Sequence, residues 1–187
     1  MEAMNMFENY RVFKTELAGK PISFEVGKMC GLSNGSCLVR YGETTVLCNV
    51  TASQKPRDGI DFFPLSVDFE EKLYSVGKIP GSFLKREGRP SEKAILASRM
   101  VDRPIRPGFV DGFKREVHVV CTTLVVDSVN PPDTICVMGA SAALMLGAAP
   151  FDGPAACVRI GRDIETGEFI VNPTFEESEH SDLELTI

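Results

Sequence analysis

The stretch from Thr134 to Leu146 has no polar side. Cys136, Val137, Met138, Gly139, Ala140, Ala142, Ala143, Leu144 and Met145 put apolar or small residues at every position of a helical wheel. A helix that is apolar all round must be covered all round. The run is too short to cross a bilayer, which takes about 20 residues. The chain must therefore supply a sheet or further helices to enclose it, and the small side chains let it lie close against that cover. Asp133 reads as the cap that opens this helix and Gly147 as the residue that closes it.

The cover is legible upstream. Residues 11–17 and 22–26 flank the turn Ala18-Gly19-Lys20-Pro21, and residues 36–40 and 44–51 flank Tyr41-Gly42-Glu43, so two hairpins are predicted. Residues 62–69 alternate in character, with Leu65, Val67 and Phe69 on one side. Residues 116–126 form a β-branched run suited to a buried strand. Between them, Pro90-Ser91-Glu92 opens a helix expected to reach Arg103, where Pro104 and Pro107 end or kink it. Residues 156–160 and 168–171 read as strands around Thr166-Gly167, and residues 182–187 as a final strand without a stop signal. Strands, helix, strand, helix, strands is the order of an α+β or mixed α/β domain.

The length of 187 residues suits one domain. No apolar run reaches a membrane-spanning length, and residues 1–10 lack the basic end and apolar stretch of a secretory signal. Six cysteines, at 30, 37, 48, 121, 136 and 157, include no C-x-x-C pair. They read as buried, reduced thiols of a cytosolic protein rather than as a disulfide frame or a zinc site.

A net charge of −6 argues against a nucleic-acid ligand until its distribution is considered. From Lys78 to Arg106 the chain carries +5, which leaves −11 for the remainder, and no Lys or Arg follows Arg162. A polyanion responds to the local field, so this basic island is a candidate phosphate-binding face. Within it, Gly77, Pro80, Gly81 and Gly88 break any regular period and make a loop around Phe83, Lys85, Arg86 and Arg89. Cations attract phosphates and an exposed ring stacks on a base, the two forces that hold single strands without reading sequence. Arg99, Arg103 and Arg106 fall at i, i+4 and i+7, on one face of an unbroken helix, with Asp102 available to neutralise a neighbour. The alternative reading is solvated cations and a core phenylalanine.

Catalytic sets are harder to find. His118 lies in a strand-like run and His180 in an acidic tail, neither beside a nucleophile or at metal-ligand spacing. No G-x-x-x-x-G-K-[ST] or G-x-G-x-x-G motif occurs. The adjacent acids Glu70-Glu71 and Glu176-Glu177 would point to opposite sides of a strand and read as solvated.

Longer runs carry a family resemblance. Residues 61–67 (DFFPLSV), 78–83 (KIPGSF) with 89–92 (RPSE), and 98–107 (SRMVDRPIRP) closely resemble the first RNase PH-like core of the polynucleotide phosphorylase family. Residues 139–144, 150–154 and 171–174 match in the same order. The resemblance implies an α+β RNase PH-like core, a mixed sheet packed with helices, filling residues 1–187 and incomplete at its C-terminal end. It implies a reversible phosphorolytic 3′-to-5′ exoribonuclease of mRNA degradation, a cytoplasmic homotrimer around an RNA channel, with no membrane partner. Magnesium and inorganic phosphate would serve the full-length enzyme in a second core, so neither a catalytic residue nor a metal ligand is expected in this segment. Single-stranded RNA would meet a constriction loop at Phe83, Lys85 and Arg86, with Arg89, Arg99, Arg103 and Arg106 as additional phosphate or RNA contacts. Many relatives carry two aromatics and two arginines in that loop; here Leu84 and Lys85 stand at two of those places. Catalytic members offer an arginine to phosphate just before the buried helix, whereas this chain has Asn130-Pro131-Pro132-Asp133. The rival reading is a non-catalytic RNase PH-like RNA-binding ring subunit.

Overall fold

The computed structural model describes residues 7–187 except 58, 128 and 148, and most of the segment read for a secretory signal, residues 1–6, lies outside the described residues. Strands β1 (Arg11–Leu17), β2 (Lys20–Val26), β3 (Gly35–Tyr41), β4 (Thr44–Ala52), β5 (Leu65–Glu70) and β6 (Val117–Val125) make one sheet in the order β1-β2-β3-β4-β6-β5. Every pairing is antiparallel except β5 with β6. That parallel pair needs a long crossover, and helix α1 (Glu92–Ile105) provides it. Helix α2 (Pro132–Leu146) lies on the same sheet. A second, antiparallel sheet holds β7 (Arg159–Asp163), β8 (Phe169–Val171) and β9 (Ser181–Thr186) in the order β8-β7-β9, with the short helix α3 (Phe175–Glu179) before β9. The mixed α+β architecture expected from the sequence is present.

The core forms where the inner face of the large sheet meets both helices. Val39, Val46, Val50 and Val119 pack with Val137, Ala140, Ala143 and Leu144 of α2 and with Ala94, Val101 and Ile105 of α1, all buried. Two glycines set how close α2 comes. A Cβ at Gly35 would lie 2.1 Å from the Ala143 carbonyl oxygen, and one at Gly139 would lie 2.6 Å from Cys48 Sγ. Phe63, Phe109, Phe113 and Phe151 close one end of this core, with neighbouring ring centroids 4.6–5.8 Å apart.

Several expectations are corrected. Asp133 does not cap α2; Pro131 is the cap and Pro132 the first helical residue, where proline's missing N–H costs nothing. The last turn of α2 is not enclosed, because Met145 and Leu146 lie off the sheet-facing side and are about half exposed. Pro104 does not stop α1 at Arg103. It sits next to the last helical residue, so its missing N–H removes one intrahelical bond without stopping the turn, and the Arg106 amide beyond it still donates to the Asp102 carbonyl. The strand expected from residue 62 begins at Leu65, since Phe63 turns into the aromatic group. The strand expected over 156–160 begins at Arg159 and runs to Asp163. Of the cysteines, Cys30 is exposed and the other five are buried, all as free thiols.

The two acidic pairs are not simply solvated. Glu71 accepts a 2.6 Å hydrogen bond from the hydroxyl of Ser91, the cap of α1. Glu177 closes a capping box on α3: Thr174 Oγ1 accepts from the Glu177 amide, and the Glu177 carboxylate accepts from the Thr174 amide at 2.7 Å. That amide holds the Glu177 carboxyl below its usual range. Replacing Thr174 with alanine is expected to lower stability by about 1 kcal/mol, measured as an earlier urea midpoint. A depressed carboxyl stabilises the fold above its unfolded pKa and stops doing so as pH falls through its folded value. The difference between Glu177→Ala, which removes the titrating group, and the parent should therefore shrink on acidification below the ordinary carboxylate range.

Candidate nucleic-acid interface

The cationic loop is held at both ends. A 3₁₀ turn, Leu73–Val76, ends at Gly77, whose φ of 70° suits glycine, and the Lys78 amide donates back to the Leu73 carbonyl. At the far end Ser91 Oγ accepts from the Ala94 amide and starts α1. Between these anchors the chain turns sharply at Ser82. The Lys85 amide donates to the Ser82 carbonyl at 3.0 Å, and the Ser82 hydroxyl donates to the Arg86 carbonyl at 3.2 Å. Lys85 takes φ 52°, a left-handed conformation that costs a non-glycine residue about 1 kcal/mol or more.

At this turn Phe83 is 98% exposed, so it is no core anchor. Leu84 and Ile79 are also exposed. Among the described residues, Lys78, Lys85, Arg86, Arg89, Lys93, Arg99 and Arg103 form no ion pair with an acid; the pairs present involve other cations. The island is thus a solvated field of unneutralised charge around a free aromatic ring.

Helix α1 carries Arg99 and Arg103, and Arg106 caps its C-terminal end. Ala94, Ala97, Val101 and Ile105 face the core, which leaves Arg99 and Arg103 exposed one turn apart on the outer side. Arg106 is engaged within the fold. It donates to Asp102 at 2.7 and 3.1 Å and to the Leu65 carbonyl at 3.2 Å, and it lies 5.9 Å from the Phe63 ring centroid. The even spacing in sequence thus brings Arg99 and Arg103 together and diverts Arg106.

A second charged group sits at the start of α2. Asp133, in its first turn, pairs with the guanidinium of Arg159, which also lies 3.4 Å from Glu184. Asn172 fixes the Arg159 backbone from both sides: its amide donates to the Arg159 carbonyl and its Oδ1 accepts from the Arg159 amide. A cation does stand at this helix start, but two carboxylates already face it, so no positive charge is left over for a phosphate. His118 pairs with Asp68 at 2.7 Å across β5 and β6, a contact hidden in sequence because the partners are 50 residues apart. The Arg159 pairing was equally hidden; the only signal was that Arg159 and Arg162 are the last cations before an acidic tail. Among the described residues no His, Cys, Asp and Glu group of three or more is arranged for a metal, and no helix is long and apolar enough to cross a membrane.

Residues 18–150 match the model of the 3′ exoribonuclease family, domain 1. The chain belongs to the 3′ exoribonuclease family. It is 54% identical over 178 residues to a polyribonucleotide nucleotidyltransferase of Alkaliphilus oremlandii, covering 95% of this chain and 25% of that protein. It is 55% identical over 182 residues to a polyribonucleotide nucleotidyltransferase of Clostridioides difficile, covering 97% and 26%. The chain therefore spans about a quarter of the length of these curated relatives. Among solved structures, an Archaeoglobus fulgidus exosome with RNA bound to the active site matches with a TM-score of 0.59 at 22% identity, over 97% of this chain and 72% of that one. An archaeal exosome core matches with a TM-score of 0.57 at 20% identity. At such identities the likeness concerns the fold, and it places this 3′ exoribonuclease domain among RNase PH-like cores.

Proposed function

We propose that this segment is the first core of a phosphorolytic 3′-to-5′ exoribonuclease and that it guides single-stranded RNA toward a reacting centre outside residues 1–187. The observation that carries this reading is the exposed Phe83 flanked by Lys85 and Arg86, none of which is spent on an internal contact. Phe83 stacks on a base while Lys85 and Arg86 hold the adjoining phosphates; Arg86 can fork two donors onto one phosphate and Lys85 acts as a point charge. Arg89, Arg99 and Arg103 extend the cationic path. Arg106 contributes chiefly by bracing α1. Phosphoryl transfer depends mainly on positioning and charge stabilisation, so a domain that aims the strand governs rate without touching the scissile bond. Magnesium and inorganic phosphate act in the second core, and the whole protein works as a cytoplasmic homotrimer in mRNA degradation. The paired Asp133 and Arg159 support the absence of a phosphate site in this core.

Arg86→Ala in the full-length protein is expected to flatten the salt dependence of single-strand binding, by about 0.7 in the log–log slope for one phosphate contact. An unchanged slope removes Arg86 from the RNA path. The rival, a non-catalytic RNA-binding ring subunit, would bind RNA equally well but release no nucleoside diphosphates from it as a full-length protein given phosphate. Diphosphate release by residues 1–187 alone would instead move the chemistry into this core.

A further inference from the structure

Four cysteines converge under helix α2. In the adjacent strands β3, β4 and β6, Cys37 faces Cys48 and Cys48 faces Cys121 in register. All three lie on the inner side of the sheet, and Cys136 of α2 is buried with them. Gly139 brings the helix down onto Cys48. The Cys48 thiol contacts Cys121 Sγ at 3.6 Å and lies 3.7 Å from the Cys136 carbonyl oxygen.

We propose that Cys48 and Cys121 form an oxidisable dithiol that hydrogen peroxide closes to a cross-strand disulfide tying β4 to β6. Directly facing residues of antiparallel strands have Cα atoms about 4.5–5.5 Å apart, within the roughly 4.4–6.8 Å that a disulfide spans. Small side-chain rotations bring the sulfurs from contact to bonding distance. Cys37 also faces Cys48, but the thiol contact runs to Cys121, which selects the pair. The Cys48 thiol is directed at Cys121 Sγ, which favours the thiolate on Cys121 once local opening admits water. Cys121 is accordingly the first nucleophile, since the thiolate is the reacting form.

The Cys121 thiolate attacks one peroxide oxygen. The S–O bond forms, the O–O bond breaks, and the departing hydroxide takes up the Cys121 proton as water. Cys48 then gives its proton to the hydroxide leaving the Cys121 sulfenic acid, and its sulfur bonds to Cys121 as the S–O bond breaks. Two thiols are oxidised and one peroxide is reduced to two waters. Because both sulfurs are fully enclosed, only a small neutral oxidant reaches them, through local opening of the core. Exposed Cys30 serves as the internal control for bulky thiol reagents.

The test treats the full-length protein with hydrogen peroxide, unfolds it in an alkylating agent and maps the peptides without reduction. Alkylation of Cys48 and Cys121 should be lost in step, a peptide joining them should appear, and dithiothreitol should reverse both. In Cys48→Ala the reaction should stop at Cys121 sulfenic acid, trapped by dimedone; should that variant fail to fold, the linked peptide of the parent decides alone. A Cys48 to Cys37 link, or alkylatable Cys48 and Cys121 beside oxidised Cys30, overturns the proposal.

Discussion

Replacing Arg159 with alanine is expected to lower the unfolding free energy by about 2–4 kcal/mol, somewhat less than a fully buried pair because solvent reaches the group. The side chains of Arg159 and Asp133 are 16% and 22% exposed. Without the guanidinium, Asp133 would sit largely desolvated at the start of α2 with only the Thr134 amide as a partner, and Glu184 would lose its neighbour. The helix dipole favours a carboxylate there, but by less than one kcal/mol or so at an ordinary site. The double variant Arg159→Ala with Asp133→Asn should recover much of the loss, because removing both charges leaves no largely buried ion uncompensated; Glu184 stays solvated. Urea unfolding of the four proteins of that cycle measures the coupling. A single variant within about 0.5 kcal/mol of the parent would show that the pair contributes no more than a surface contact.

The second large effect is on binding. Phe83→Ala in the full-length protein should weaken single-stranded RNA binding by about 1–3 kcal/mol, or roughly 5- to 150-fold, the measured worth of one base stacked on an aromatic ring. Since Phe83 is almost entirely exposed, the same substitution should leave the unfolding midpoint in place. Those two readouts separate a ligand contact from a packing residue. Equal RNA affinity would exclude Phe83 from the path, and a lowered midpoint would show that the ring supports the fold. Leu84→Ala should change affinity less, because an aliphatic side chain offers no ring to stack.

Period and turn residues made most of the fold legible. The hairpin strands, the β-branched run of β6 and the unbroken apolar surface of α2 each follow from side-chain spacing, which is a local property. What stayed hidden depends on contacts between residues far apart. Asp133 looked like a cap because aspartate favours helix starts, yet its partner arrives from β7, 26 residues on. Glu177 was read within a strand because the period of a helix as short as α3 is not visible, although Thr174 and Glu177 have the spacing of a capping box and that signal was available. In the loop, residue types indicated Phe83, Lys85 and Arg86 together. Composition could not reveal the left-handed turn at Lys85, because nothing in a lysine announces a positive φ. Nor could helical spacing show that Arg106 is held by Asp102 and by carbonyls of a different segment.

The crossover from β5 to β6 has a mechanical consequence. The cationic loop leaves the sheet from one strand and its connection re-enters through the strand alongside, in six register pairs from Leu65–Val117 to Glu70–Thr122. On the proposed reading, a pull by RNA on the loop tip would reach the end of β5 on one side and the start of α1 on the other. β5 is an edge strand held along one side only, by its parallel ladder to β6, and a pull along that ladder loads its bonds in shear rather than peeling them open one at a time. The other root is the core-packed face of α1, through Ala94, Ala97, Val101 and Ile105.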